Sequence, residues 1–212
     1  MIILKIECIS HACFKVELAG TIIYFDPYEI PNGSEKADII CASHDHYDHY
    51  DAKSAEIIMK ENTMIICPLS CSKIVSSGAK GLNPGDVVDI GKISVKAVEA
   101  YTPNKNFHPK PSNWLGFIIS DGSTKIYHAG DTDIIPEMKN FIDIDYAIIP
   151  VGGTYTMDQE EALEAVKIMK PKNVVPMHAW SDDNLNNFIT LVQNSNLDVG
   201  IIKLNKGESF TT

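Results

Sequence analysis

A stretch of seven residues, 43–49, carries three histidines and two aspartates in the order Ser-His-Asp-His-Tyr-Asp-His. Neutral imidazole and carboxylate groups are suitable ligands for zinc, iron, manganese, cobalt and nickel. In a short irregular loop, His44 and His46 can turn toward one point, and Asp48 and His49 toward a neighbouring one. The alternative is a solvated polar loop, which is disfavoured because the cluster directly follows an apolar run and candidate ligands recur at later strand ends. The pattern therefore predicts a metal site.

The residues around this cluster predict that it lies between a strand and a helix. The apolar run Asp38–Ala42 ends directly before it, and residues 52–60 have the spacing of an amphipathic helix with Asp51 as the N-cap. Further strands are predicted at 2–6, 13–18, 21–25, 64–67, 87–90, 93–98, 114–120, 125–127, 145–150, 174–177 and 199–204, and further helices at 158–169 and 185–192. Strands interrupted by helices, without a long linker or a repeat, indicate one layered α+β or α/β domain over residues 1–212.

The composition restricts the class of protein. Of the 212 residues, 44% are hydrophobic and 22% charged, which is typical of a chain that buries one core. The net charge of -10 argues against a broad electropositive surface, so nucleic acid is not an expected partner. No apolar run approaches the ~20 residues that cross a bilayer, so we expect a cytoplasmic protein without a membrane partner. The five cysteines form no C-x-x-C pair, and we expect free buried thiols.

The pattern H-x-H-x-D-H, here formed by His44, His46, Asp48 and His49, resembles the signature of the metallo-β-lactamase superfamily. The resemblance extends from about Ile6 to Leu204. It implies the fold of that superfamily, a four-layer αββα sandwich of the α+β class. Two later motifs also match, namely the Gly-Asp at a strand end in Tyr-His-Ala-Gly-Asp-Thr (127–132) and the last histidine in Val-Pro-Met-His (175–178).

The resemblance implies a set of ligands for two divalent metal ions, with zinc expected and manganese, iron, cobalt or nickel as alternatives. In this set His44, His46 and a third histidine bind one ion, Asp48, His49 and His178 bind the other, and Asp131 bridges both. His108 is the only histidine between the first motif and the strand that leads to Gly130 and Asp131, so we expect it to be the third. Its loop must then fold back from the strand that ends near Tyr101.

Five further residues are candidates for supporting roles. His11 lies where related small hydrolases carry a histidine turn near the metals, and simple packing is the competing interpretation. Asp26, in an Asp-Pro pair after a strand, is expected to hold a ligand histidine by a hydrogen bond, or else to make a turn. We expect His128 beside the ligands or in the core. Lys105 and Lys110 either bind an anionic substrate group or are solvated loop lysines.

The function implied by the resemblance is hydrolysis. A metal-activated hydroxide at a binuclear site would attack a small ester, lactone or phosphodiester substrate. Asp48 would orient this hydroxide and return a proton to the leaving group. The alternatives are a non-catalytic metal-binding or regulatory protein of the same fold, and a nuclease-type phosphodiesterase. The sequence is compatible with a homo-oligomer.

Overall fold

Two seven-stranded sheets form the centre of the computed structural model, which describes residues 4–75 and 78–212. In spatial order the first sheet contains β14 (Ser209–Thr211), β1 (Lys5–Ser10), β2 (Cys13–Leu18), β3 (Thr21–Phe25), β4 (Ile39–Cys41), β5 (Met64–Pro68) and β6 (Lys80–Leu82). Strands β14 to β3 are antiparallel to their neighbours, whereas β3 to β6 run parallel. Ile2 and Ile3, which were predicted to begin the first strand, lie outside the described residues.

The second sheet has the same mixed character. Its spatial order is β13 (Gly200–Ile201), β12 (Asn173–Met177), β11 (Tyr146–Pro150), β10 (Lys125–His128), β9 (Leu115–Ser120), β8 (Ile93–Glu99) and β7 (Val87–Ile90). Strands β10 to β13 are parallel, and β7 to β10 are antiparallel.

Four α-helices lie in the described part of the chain: α1 (Ala52–Ile58), α2 (Ser72–Val75), α3 (Gln159–Met169) and α4 (Asp182–Asn194). Single 3₁₀ turns occupy Leu69–Cys71, Lys110–Ser112 and Pro136–Asn140. The start of α1 follows from Asp51, whose carboxylate accepts hydrogen bonds from backbone amides of the first turn. Helix α3 begins with a reciprocal capping box between Asp158 and Glu161. Both devices satisfy amide groups that have no partner within the helix. None of the described helices has the length and apolar character needed to span a membrane.

The layers follow from alternation of side chains along the strands. In β4, Ile39 and Cys41 face the large core shared with the second sheet, whereas Ile40 lies in a smaller core with Ile58 of α1. Successive residues of a strand point to opposite faces, so both faces of β4 are covered. Helices α3 and α4 contact each other, and they add Val166 and Phe188, among others, to the large core. The predicted αββα sandwich of the α+β class is confirmed.

Several short elements differ from the sequence prediction. The strand predicted at 199–204 is shorter in the structure. Its residues Gly200–Ile201 pair with β12 at the edge of the sheet. Strands β6 and β14 were not predicted; each has three residues, too few to show an alternating pattern. Helix α2 has four residues and was missed for the same reason.

The connection between the sheets positions the residues discussed below. The carboxyl ends of strands β4, β10 and β12 lead directly to Ala42, Ala129 and His178. Two backbone hydrogen bonds join the sheets there, from Leu115 N to the Ser43 oxygen at 3.0 Å and from His178 N to the His11 oxygen at 3.1 Å. Loops at strand ends of both sheets therefore converge on one edge of the sandwich.

Candidate metal centre

Three histidines form a first group at this edge. The ring nitrogens of His44, His46 and His108 all lie within 4.8 Å of one another, and His44 Nε2 is 3.0 Å from His46 Nδ1. The indole of Trp114 packs on this group, with its ring centroid 4.8 Å from that of His44 and 4.8 Å from that of His46. His108 and His44 are buried. Their arrangement provides three imidazole nitrogens directed to one small volume.

The carboxylate of Asp131 lies between this group and a second one. Its Oδ2 is 3.1 Å from His108 Nε2, while its Oδ1 is 3.2 Å from His49 Nε2 and 3.3 Å from His178 Nε2. The preceding Gly130 has a φ of +59°, and a Cβ atom there would lie 2.8 Å from Leu115 O. Only glycine permits this close approach, which turns the chain so that Asp131 enters the centre.

The second group contains His49, His178, Asp48 and His11, whose ligand atoms also lie within 4.8 Å of one another. His11 Nε2 is 3.6 Å from Asp48 Oδ2, and the His11 and His178 ring centroids are 3.8 Å apart. His11 and His178 have positive φ values of 36° and 53°. Such backbone conformations cost about 1 to 3 kcal/mol each, and they persist only where the surrounding structure imposes them. His11 belongs to the second group because its ligand atom lies within 4.8 Å of those of the other three residues.

A buried hydrogen-bond network supports both groups from behind. Asp26 Oδ2 is 2.7 Å from His49 Nδ1, and Asp26 also accepts hydrogen bonds from Ser43 N at 2.6 Å and Ser43 Oγ at 2.8 Å. Ser43 Oγ is in turn 2.9 Å from His44 Nδ1. The predicted hydrogen bond between Asp26 and a histidine of the cluster is thus present. The role of Ser43 was not predicted, although the residue directly precedes the histidine motif.

The donor atoms fit a cation. The buried atoms His11 Nε2, His49 Nε2, His108 Nε2 and Asp131 Oδ1 have no hydrogen-bond partner of acceptable geometry. Unsatisfied buried polar groups are costly and uncommon, and four of them in one centre indicate a bound ion. Imidazole nitrogens and carboxylates also suit divalent transition metals chemically.

The charges of the centre are set by burial and by the carboxylates of Asp26 and Asp131. Burial, together with the neighbouring imidazoles, holds the pKa of His44 well below its ordinary value, so this imidazole is neutral and free to coordinate. Burial also opposes a charge on His49, but Asp131 and Asp26 outweigh it and raise the pKa of His49 well above the ordinary value. Burial raises the pKa of Asp131, but His49 and His178 lower it by more. The pKa of Asp131 therefore lies well below its usual range. Asp131 is therefore a permanent anion that requires positive charge beside it.

Comparison with known proteins identifies the family. A model described as "Beta-lactamase superfamily domain" matches residues 5–178. The chain belongs to the metallo-β-lactamase superfamily. A UPF0173 metal-dependent hydrolase of Nanoarchaeum equitans is 35% identical, over 82% of this chain and 83% of that protein. One from Archaeoglobus fulgidus is 30% identical, over 98% of each chain.

Solved structures show the same superfamily fold. A protein from Parabacteroides distasonis superposes with a TM-score of 0.87 at 29% identity, covering 97% of this chain and 94% of that one. Igni18, a metallo hydrolase from Ignicoccus hospitalis, gives a TM-score of 0.82 at 26% identity, covering 99% and 98% of the two chains.

Two lysines of this superfamily member do not face the centre. Lys105 Nζ lies 2.5 Å from Asp133 Oδ1 and 2.7 Å from the Thr156 carbonyl oxygen, and Lys110 Nζ lies 2.7 Å from Glu137 Oε1. Both ammonium groups are thus occupied by protein oxygens. Neither lysine is among the described residues that line the cleft above the metal centre, and binding of an anionic substrate group by them stays a prediction.

His128 is a core residue in this member of the superfamily. Its ring stacks on Phe25 at a centroid distance of 4.7 Å, and its Nε2 is 2.9 Å from the Ala12 carbonyl oxygen. Its Nδ1 accepts a hydrogen bond from Gly130 N at 3.3 Å. Both ring nitrogens of His128 thus form hydrogen bonds to the backbone, and the bond from Gly130 N supports the turn that carries Asp131.

A cleft of about 650 Å³ opens above the centre. Its floor contains His46, Asp48, His108, Asp131 and His178. Its sides are formed by Asp45 and by four aromatic residues that the sequence did not single out, Tyr47, Phe107, Tyr155 and Trp180. Buried ligands under an open cleft allow a small molecule to reach the centre.

Proposed function

We propose that this metal-dependent hydrolase of the metallo-β-lactamase superfamily uses a binuclear centre. In the proposal His44, His46 and His108 hold one divalent cation, Asp48, His49 and His178 hold the other, and Asp131 lies between the two. The observation that carries it is the Asp131 carboxylate, which is within 3.1 to 3.3 Å of histidine nitrogens from both groups. Zinc is the expected metal, with manganese, iron, cobalt or nickel as alternatives.

When bound, the cations would act as Lewis acids. They would lower the pKa of a water molecule and polarise a carbonyl or phosphoryl group. The protein provides the proton transfer. Asp48 differs from His49 and His178, the other proposed ligands of its cation, because its side chain is partly exposed while theirs are buried. Its Oδ2 also lies near His11 Nε2. In this position Asp48 can accept the proton of the attacking water and return it to the leaving group.

The proposed substrate is a small ester, lactone or phosphodiester. The cleft volume suits a small molecule better than a polymer strand, and the net charge of -10 disfavours nucleic acid. We place this activity in a single domain of residues 1–212 that works in the cytoplasm.

Metal analysis tests the centre. The purified protein, loaded with zinc and freed of excess, should contain two ions per chain by mass spectrometry. His46→Ala and His178→Ala should each retain about one, whereas the exposed control Lys110→Ala should retain two. One ion per chain in the unchanged protein would contradict the binuclear proposal.

A substrate panel tests the chemistry. Lactone, thioester and phosphodiester substrates should be assayed with zinc and with manganese, and we expect metal-dependent turnover of at least one class. Full zinc loading without turnover of any class would instead support the non-catalytic metal-binding protein.

A further inference from the structure

Four aromatic side chains rise from the sides of the cleft, and we call Tyr47, Phe107, Tyr155 and Trp180 the aromatic rim. Their exposed fractions are 74%, 48%, 37% and 52%. Large aromatic residues gain several kilocalories from burial, so their grouping in one exposed place is unusual. All four line the cleft above the metal centre.

Three members of the rim form a continuous wall. The Phe107 and Tyr155 rings meet edge to face with centroids 4.5 Å apart, and Tyr155 and Trp180 have centroids 5.8 Å apart. Trp180 also lies 5.5 Å from the His178 ring. The wall thus extends from the metal centre outward to Phe107.

A lysine hydrogen bond links the two loops that carry Phe107 and Tyr155. Phe107 and Tyr155 come from different loops, and Lys105 links these loops by contacting the carbonyl oxygen of Thr156. Lys105 also pairs with Asp133. Because Lys105 is two residues from Phe107 and Thr156 directly follows Tyr155, the two rings are fixed relative to each other before any ligand binds. Such preorganisation lowers the entropic cost of binding.

The charge of the cleft selects among substrates. None of the described residues that line it is lysine, and the whole sequence contains no arginine. The carboxylates that line it and are partly exposed are those of Asp45 and Asp48. An anionic group on the outer part of a substrate would meet aromatic faces and carboxylates, with no cation to pair with it.

We propose that the wall of Phe107, Tyr155 and Trp180 binds a flat, uncharged, apolar group of the substrate, so that the enzyme hydrolyses esters or lactones bearing such a group. This inference rests on the proposed hydrolytic function of the metal centre. It excludes substrates whose outer group is a second carboxylate, sulfonate or phosphate.

Binding of three carboxylates to the zinc-loaded protein tests the inference without requiring turnover. Benzoate, terephthalate and acetate share a carboxylate that can reach the metals, and they differ in the group left to face the wall. By isothermal titration calorimetry we expect benzoate to bind about tenfold more tightly than acetate, the effect of one or two ring contacts. Terephthalate should bind more weakly than benzoate, because its second carboxylate meets no cation.

Variants assign the effect to the wall. In Tyr155→Ala and in Trp180→Ala, the preference for benzoate over acetate should fall to less than about threefold, while Tyr155→Phe should retain it. Ile142→Ala is the matched control, because Ile142 is an exposed apolar residue near the start of β11, at the end opposite the centre. Zinc content is measured in every variant.

The outcomes separate the two proposals. If neither zinc nor manganese, iron, cobalt or nickel binds, the proposed function is wrong. If zinc binds, the inference about the wall is overturned by terephthalate binding as tightly as benzoate, by the absence of benzoate binding, or by an unchanged preference in Tyr155→Ala and Trp180→Ala.

Discussion

The backbone amide of Thr102 donates a hydrogen bond of 2.8 Å to the carbonyl oxygen of His108. The Thr102 hydroxyl in turn accepts a hydrogen bond from His108 N at 3.3 Å. These two hydrogen bonds close the loop and bring His108 back beside Thr102. As a result His108 Nε2 lies 3.1 Å from Asp131, which completes the first group of histidines.

Removing the hydroxyl of Thr102 should loosen this closure. We expect Thr102→Val to lower the free energy of unfolding by about 1 kcal/mol, because the amide of His108 loses its acceptor. Zinc affinity at the first site should fall by about tenfold, as for other residues that orient a ligand. Competition with a chromophoric chelator measures this affinity. Thr102→Ser keeps the hydroxyl and serves as the control; equal zinc affinity in both variants would contradict the prediction.

Replacing Asp48 by alanine should abolish turnover while the fold is kept. Asp48 is partly exposed and lines the cleft, so the zinc-free Asp48→Ala protein should unfold at nearly the same temperature as the zinc-free unchanged protein, as followed by circular dichroism. The rate should drop by about 100-fold or more, the usual contribution of a general acid or base. Preserved activity in Asp48→Ala, measured on the best substrate of the panel, would exclude this residue from catalysis.

Asp26→Ala should be more damaging to the fold than any change at the cleft. It would leave Ser43 N, Ser43 Oγ and His49 Nδ1 buried without their partner, and breaking a buried pair in this way costs about 3 to 5 kcal/mol. Asp26→Asn is the matched control, since the asparagine oxygen can accept from Ser43 N, its amide nitrogen can donate to Ser43 Oγ, and asparagine tolerates the positive φ of 45° at this position. Urea unfolding of the two variants should therefore show a much larger loss for alanine.

Removing the metal should lower the thermal stability of the protein. A ligand present at 1,000 times its dissociation constant stabilises the folded state by about 4 kcal/mol, which corresponds to a Tm change of about 10 °C for a chain of this size. Dialysis against a chelator should cause this decrease, and zinc should reverse it. Calorimetry of the His46→Ala variant provides a comparison, with a smaller decrease expected. A Tm that is insensitive to chelation would mean that no ion occupies the centre.

The sequence was sufficient to predict elements with strong local signals. Strands β2 and β3 begin and end where the alternating pattern does, and α1 begins after the Asp51 cap. The three-residue strands β6 and β14 have no such signal and depend on a neighbouring strand for their hydrogen bonds. They could not be predicted, because pairing is decided between segments far apart in the chain.

The sequence by itself determined the chemistry of the centre, because three histidines and two aspartates lie within residues 43–49 and therefore share one loop. The tertiary structure decided how these groups are completed and what surrounds them. It brings Asp131 and His108 to the loop from strands of the other sheet, pairs Lys105 with Asp133 outside the cleft, and assembles Phe107, Tyr155 and Trp180 into a wall. Such contacts join residues tens of positions apart, and packing of the two sheets, rather than local preference, sets their distances.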